Sequence, residues 1–277
     1  MSELHDRIEE FYNSSWSYDQ WSQLAGYTHD DLTRVRAAYT GSVGLRAALI
    51  EDVYEKTVLR PWIGEHYEAC PLKIAIVLRE YPIASVATSA FPMNSGRMRC
   101  EVDHATTSHT GYSTLRRALA VAGRCLEQHG CVRSGFLPDR ITSAADLNRA
   151  VKAIAQHVYV TDLVKPFALY RDYKGKRLSD SNLSRSCHTH AMYNFARGLL
   201  GEEMNLANAD LVLGFGKGWG TRYTQAHGKT VGKATLVVLR HPAARGFAWR
   251  KLDAMVAPAL AAAAKLGPEC PGPGLPL

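Results

Sequence analysis

The sequence lacks a long apolar run, a cysteine framework and an apolar amino-terminal leader. No apolar run approaches the roughly 18 residues needed to cross a bilayer. The first residues, Met1–Asp6, are polar and acidic, and no hydrophobic signal segment follows them. The six cysteines are scattered without a Cys-x-x-Cys pair, unlike those of a secreted disulfide scaffold. We therefore expect a cytoplasmic protein with mostly reduced cysteines and no membrane partner.

Composition and charge exclude a disordered chain and permit a polyanionic partner. The 277 residues are 46% hydrophobic, which is enough to bury a full core. The formal net charge is +7, and lysines and arginines are spread thinly along the chain. A basic excess of this size is compatible with nucleic acid binding but does not require it.

The chain is predicted to have three parts. Residues 1–67 are rich in aromatic side chains and are expected to form a helical region packed on the core. Residues 68–266 are expected to form an α/β domain, and residues 267–277, with their prolines and glycines, a disordered tail.

Short apolar runs bounded by polar residues predict four buried strands in the middle part. The runs are Lys73–Leu78, His157–Thr161, Asp210–Gly214 and Thr235–Leu239. Helical patterns separate most of them, notably at 113–129, from Ser143 onward and around 192–200, and a last helix is expected at about 247–266. This order predicts an α/β fold, a three-layer α/β/α sandwich with a short four-stranded parallel sheet. The strand ends should then converge on one edge of the sheet, where open α/β proteins place their chemistry.

A motif follows each predicted strand. The motifs are Arg79-Glu80-Tyr81-Pro82-Ile83, Thr161-Asp162-Leu163-Val164-Lys165-Pro166, Leu213-Gly214-Phe215-Gly216-Lys217 and His241-Pro242-Ala243. Together, and in this order, they resemble the uracil-DNA glycosylase superfamily, nearest to its iron–sulfur branch, family four. The resemblance covers about residues 72–250 and implies a uracil-DNA-glycosylase-like fold and an enzyme that flips a nucleotide out of double-stranded DNA.

The resemblance implies two catalytic residues. Glu80 would stabilise the sugar cation or orient the attacking water, and His241 would donate a hydrogen bond to the departing base. The plainer interpretations are a surface carboxylate for Glu80 and a capping or core histidine for His241. No lysine stands where an amine nucleophile is expected, so base release without a lyase step is predicted.

Further residues are predicted to bind the substrate. By the same resemblance, Phe91 would stack on the flipped base. Tyr81 is also predicted to bind the substrate. Phosphate contacts are expected from three basic residues, Lys217, Arg240 and Arg245. The glycines between Gly214 and Gly220 lack the spacing of a nucleotide-binding loop, so they predict a tight strand-to-helix turn near the DNA.

Departures from the family pattern bear on the base and on the cofactor. The base-reading asparagine of the family is Asp162 here, and an ionised carboxylate only accepts hydrogen bonds. A carboxylate that only accepts hydrogen bonds suits the exocyclic amine of cytosine and of its 5-substituted forms and disfavours uracil. The alternative interpretation is that Asp162 caps a loop. The paired amino-terminal cysteines of the family are missing here, and Pro166 stands in place of a further cysteine ligand. No iron–sulfur cluster and no other cofactor is therefore expected. The Cys187-His188-Thr189-His190 group lacks a partner pair, and no metal is predicted there.

The leading hypothesis is a monofunctional DNA glycosylase that removes a 5-substituted cytosine, hydroxymethylated or glucosylated, from phage DNA. The alternatives are a uracil-DNA glycosylase of base-excision repair, a catalytically inactive DNA-binding relative, and a hydrolase of small nucleosides. No obligate protein partner is expected.

Overall fold

The computed structural model describes residues 3–15, 60–78, 113–141, 145–147, 150–163, 190–240 and 252–266. The expected tail at 267–277 and most of the expected helical region at 1–67 lie outside these ranges. The chain divides into two compact units. The first comprises Met1–Arg60, Arg79–Arg97 and Asp162–Leu200, and the second comprises Pro61–Leu78, Met98–Thr161 and Gly201–Leu277.

Six α-helices and one 3-10 turn occur in the described residues. The helices are α1 (Glu3–Ser15), α2 (Ser113–Gln128), α3 (Ala150–Ala155), α4 (His190–Leu206), α5 (Lys217–His227) and α6 (Leu252–Lys265). The 3-10 turn, Ala145–Leu147, precedes α3. Within this part of the chain, none of the helices has the length and apolar character needed to span a bilayer.

Helix α1 in the first unit is amphipathic. Its buried side chains are Leu4, Ile8, Phe11 and Tyr12, and this i, i+4, i+7, i+8 spacing puts them on one face. Arg60 contacts three side chains of the same helix. Its Nε lies 3.1 Å from Glu9 Oε2, its Nη2 donates to Asn13 Oδ1 at 2.7 Å, and its guanidinium carbon lies 5.0 Å from the centre of the Tyr12 ring.

The second unit is built around a mixed sheet, which has six strands in the described residues. They are β1 (Trp62–Ile63), β2 (Ile74–Leu78), β3 (Val158–Asp162), β4 (Leu211–Phe215), β5 (Thr230–Val231) and β6 (Ala234–Leu239). Their order across the sheet is β1-β3-β2-β4-β6-β5. Strands β2, β3 and β4 are buried along their whole length, which explains their continuous apolar sequences.

The centre of the sheet is parallel and its edges are antiparallel. Strand β2 runs parallel to β4, with Ile74 opposite Leu211, and β4 runs parallel to β6. Strand β1 pairs antiparallel with β3, and β5 forms a hairpin with β6.

The expectation of a four-stranded, all-parallel sheet is wrong, although the α/β class and the four long strands are confirmed. Within the described residues the sheet has six strands and is mixed. The two additional strands, β1 and β5, have two residues each. A segment of two residues carries no hydrophobic period, and Trp62 lies in a stretch that was expected to be helical.

Three helices of the second unit, α2, α3 and α6, pack closely together beside the sheet. Helix α2 packs against α3 and α6, and α6 also contacts β4 and β6. An added Cβ at Gly123 of α2 would lie 2.6 Å from Ile154 Cδ1 of α3. The absence of a side chain at this position therefore lets the two helices approach closely.

Candidate functional site

The carboxyl edge of the sheet is the candidate site because the chain changes direction there. Strands β2, β4 and β6 are parallel, so Leu78, Phe215 and Leu239 end them at the same edge. The chain passes from β2 to β3 on one side and from β4 to β6 on the other side. The strand order therefore reverses between β2 and β4, and open α/β sheets bind ligands at such a switch point.

Strand β3 brings Asp162 to its carboxyl end. The Cys70 Sγ lies 3.7 Å from the carbonyl oxygen of His157, which joins the amino end of β3 to the segment leading into β2. Asp162 is the last residue of β3 and only 1% exposed. Burying an ionised carboxylate is costly unless it has hydrogen-bond donors, so this position is not that of an ordinary surface turn residue.

A tight turn joins β4 to helix α5 at the same edge. Gly216 has φ 125° and ψ 101°, a conformation that strongly favours glycine. Its N–H donates to the Leu239 carbonyl at 2.9 Å, and the Gly220 N–H donates to the Gly216 carbonyl at 3.1 Å. An added Cβ at Gly220 would lie 2.5 Å from Val238 Cγ1. The glycines thus let the first turns of α5 press on β6, as the sequence predicted for a strand-to-helix turn.

The amino terminus of α5 lies at this turn. Gly216, which has no side chain, is its N-cap residue, and the first N–H groups of a helix have no partner within it. Such a terminus attracts anions, including phosphate groups. Lys217 is the first residue of α5, and Arg240 follows β6 and is exposed. Lys217 and Arg240, both predicted to contact phosphate, therefore directly follow the carboxyl edge of the sheet in the chain.

The remaining predicted site residues lie outside the described residues. They are Glu80, Tyr81, Phe91, His241 and Arg245, together with Cys187, His188, Thr189 and the side chains of His190 and Lys217. In the sequence, Glu80 follows the end of β2 at Leu78 by two residues, and His241 follows the end of β6 at Leu239 by two residues. Their roles stay predictions.

The sequence analysis missed a buried carboxylate next to this edge. Glu203 in α4 is fully buried, and its Oε1 accepts hydrogen bonds from Tyr159 Oη and Thr161 Oγ1, both at 2.9 Å. A signal was present in the sequence. Glu203 follows Ala196 by seven residues and Leu200 by three, so it lies on the apolar face of the helix. A carboxylate at such a position predicts a buried polar contact.

At the opposite, amino edge of the sheet, Asp210 joins the strands through both its backbone and its side chain. The Lys73 N–H donates to Asp210 Oδ2 at 2.8 Å, and the Asp210 N–H donates back to the Lys73 carbonyl at 2.9 Å. The Asp210 carbonyl also accepts from the Thr235 N–H at 2.9 Å. Asp210 therefore aligns the starts of β2, β4 and β6.

Within the described residues, no group of three or more histidines, cysteines, aspartates or glutamates could hold a metal ion. A scan of protein-family models finds no match to the chain, and a search of curated proteins finds none either.

Proposed function

We propose that the chain is a monofunctional DNA glycosylase that hydrolyses the N-glycosidic bond of a flipped, modified cytosine and leaves an abasic site. The observation that carries the proposal is the buried carboxylate of Asp162 at the end of β3. Strand β3 is the neighbour of β2, and Glu80 follows the end of β2 by two residues in the sequence. A base-reading acceptor and a catalytic carboxylate would thus follow two adjacent strands.

The order of the motifs along the sheet supports the proposal. The motifs containing Glu80, Asp162, Gly214 and His241 each follow or end one of the four long strands, β2, β3, β4 and β6. The carboxyl ends of β2 and β4 flank the switch point. In the proposed three-layer, glycosylase-like arrangement, Glu80 stabilises the sugar cation or orients water, and His241 donates to the leaving base.

The proposed substrate class follows from hydrogen-bond chemistry. Ionised Asp162 can only accept, so it pairs with the exocyclic amine of cytosine and repels the O4 acceptor of uracil. A base inside the duplex is out of reach, so the enzyme would extrude it first. Phe91 and Tyr81 would hold the extruded base. The exposed Arg240, with Lys217 at the start of α5, would hold phosphates.

The experiment is base release from defined duplexes. Duplexes containing cytosine, uracil, hydroxymethylcytosine or its glucoside are incubated with the protein, and alkali then cleaves any abasic site. Glu80→Gln and His241→Ala should each lower the rate about 100-fold or more. Glu65→Gln and His227→Ala, at exposed positions, are the matched controls and should keep full activity. Absence of an abasic product from all four duplexes and from phage genomic DNA would refute the glycosylase proposal.

Asp162→Asn tests the base specificity separately. An amide both accepts and donates, so this variant should shift the preference from cytosine-type bases toward uracil, with the rate ratio changing about 100-fold. Asp139→Asn, at an exposed position, should leave the ratio unchanged. If the wild-type protein itself prefers uracil, the repair alternative replaces the modified-cytosine proposal.

A catalytically inactive DNA-binding protein is the second candidate. It is favoured by the departures of Arg79, Tyr81 and Ile83 from the family motif around Glu80. Salt-dependent duplex binding without any abasic product would identify it. Turnover of free nucleosides without duplex affinity would instead identify a small-molecule hydrolase.

A further inference from the structure

A buried carboxyl group in the second unit holds two hydroxyl groups of strand β3. Glu203 of α4, Tyr159 and Thr161 all belong to this unit, and their side chains are at most 1% exposed. The Glu203 Oε1 accepts hydrogen bonds from Tyr159 Oη and from Thr161 Oγ1, both at 2.9 Å. Tyr159 and Thr161 are two residues apart, so their side chains leave the same face of the strand. One oxygen atom of α4 therefore fixes β3 at two successive positions of that face.

The second of these positions lies directly before Asp162. Asp162 follows Thr161 in the chain and is the last residue of β3. By the alternation of side chains along a strand, Asp162 leaves the face opposite to that of Thr161. The peptide bond between the two residues is planar, so the orientation of the Thr161 backbone determines the direction in which the Asp162 side chain starts. The bond from Thr161 to Glu203 thus restrains the strand at the residue before the proposed base-reading carboxylate.

The end of α4 that carries Glu203 is itself fixed to other parts of the second unit. Asn205, two residues farther along, accepts the Lys233 N–H of the β5–β6 hairpin on its Oδ1 at 2.9 Å. The Ala207 carbonyl, one residue past the end of α4, accepts the Tyr67 hydroxyl at 3.0 Å. Because these bonds fix the end of the helix, Glu203 gives β3 a support that does not depend on the strand itself.

A shared polar acceptor determines the placement of a strand more strictly than apolar packing does. Burying a carboxyl group is costly, and replacing a whole buried polar cluster by apolar residues is often neutral for stability. A hydrogen bond differs from an apolar contact because it is directional, so each hydroxyl must point at the one oxygen. The cluster around Glu203 therefore selects one rotation of the strand end.

We propose that Glu203 is a positioning residue for base recognition: through Thr161 it holds the end of β3 so that Asp162 presents its carboxylate to the extruded base in one orientation. This inference rests on the proposed glycosylase function. A recognition site must hold its groups to within about 0.5 Å, and a misplacement of about 1 Å can lower a rate about 100-fold. Loosening the strand end should therefore weaken the discrimination between cytosine-type bases and uracil.

The test is the ratio of kcat/KM for the best cytosine-type duplex to kcat/KM for the uracil duplex. Thr161→Val keeps the shape of the side chain but has no hydroxyl group, and it should lower this ratio about 10-fold. Thr161→Ser keeps the hydroxyl group and should restore the ratio. Tyr159→Phe removes the donor farther from Asp162 and should have a smaller effect. Adding Thr161→Val to Glu203→Ala should lower the ratio no further than Glu203→Ala alone, because both changes break the same contact.

A destabilised control separates positioning from a loss of stability. Val256 is buried in α6, and this helix packs against α2, β4 and β6. Val256→Ala should therefore weaken the core without changing the end of β3, and it should keep the wild-type ratio. Thr230→Val, at an exposed position, repeats the change of side chain away from β3 and should also keep the ratio.

The outcomes distinguish this inference from the proposed function. If the wild-type protein releases a cytosine-type base and Thr161→Val keeps its rate and its ratio, the positioning role of Glu203 is overturned while the glycosylase proposal stands. An equal fall of the ratio in Val256→Ala also overturns the positioning role, since the fall would then follow stability. If the wild-type protein yields no abasic product from any duplex, the glycosylase proposal is refuted and the positioning role with it.

Discussion

Replacing Glu203 removes the acceptor that two buried hydroxyl groups share. Tyr159 Oη and Thr161 Oγ1 both donate to Glu203 Oε1 at 2.9 Å, and all three side chains are at most 1% exposed. A buried donor left without an acceptor costs about 1–3 kcal/mol. Glu203→Ala should therefore lower the free energy of unfolding by about 2–6 kcal/mol. Glu203→Gln keeps an acceptor oxygen at this position and should cost less than Glu203→Ala.

Urea unfolding followed by circular dichroism measures these costs from the shift in midpoint at constant slope. The matched control is Glu202→Ala, since Glu202 is the exposed neighbour of Glu203 and should change stability by no more than about 0.5 kcal/mol. The double variant with Tyr159→Phe should cost about 1–3 kcal/mol less than the sum of the single variants. Additive costs, or a Glu203→Ala effect below about 1 kcal/mol, would refute the shared-acceptor argument.

Two further predictions concern packing and pH. Gly220→Ala puts a Cβ 2.5 Å from Val238 Cγ1 and should destabilise by about 1–3 kcal/mol. Gly198→Ala has no atom within 4 Å of the new Cβ and should stabilise α4 by about 1 kcal/mol, so equal effects in the two urea titrations would contradict the close-packing argument. Burial lowers the pKa of His157, so the unfolded chain binds its proton more readily, and His157 contributes stability above about pH 6.5 that is lost as the pH falls below it. The decline in unfolding free energy between about pH 7 and pH 5 should be smaller in His157→Asn than in the exposed His227→Asn, and an unchanged decline would count against this assignment.

The parts of the fold that the sequence predicted are those with a local signal. The runs at Ile74–Leu78 and Leu211–Phe215 are apolar throughout because both faces of these central strands are covered. The two-residue strand Trp62–Ile63 has no such signal. It is a strand only because Val160 and Tyr159, far along the chain, supply its hydrogen-bond partners.

The site shows the same division between local and distant causes. The burial of Asp162 could be anticipated because it ends an apolar run. The partners of Glu203 could not, since 44 and 42 residues separate it from Tyr159 and Thr161. Helical periodicity places Glu203 on the inward face, but only the packing of α4 on β3 decides which hydroxyl groups it meets.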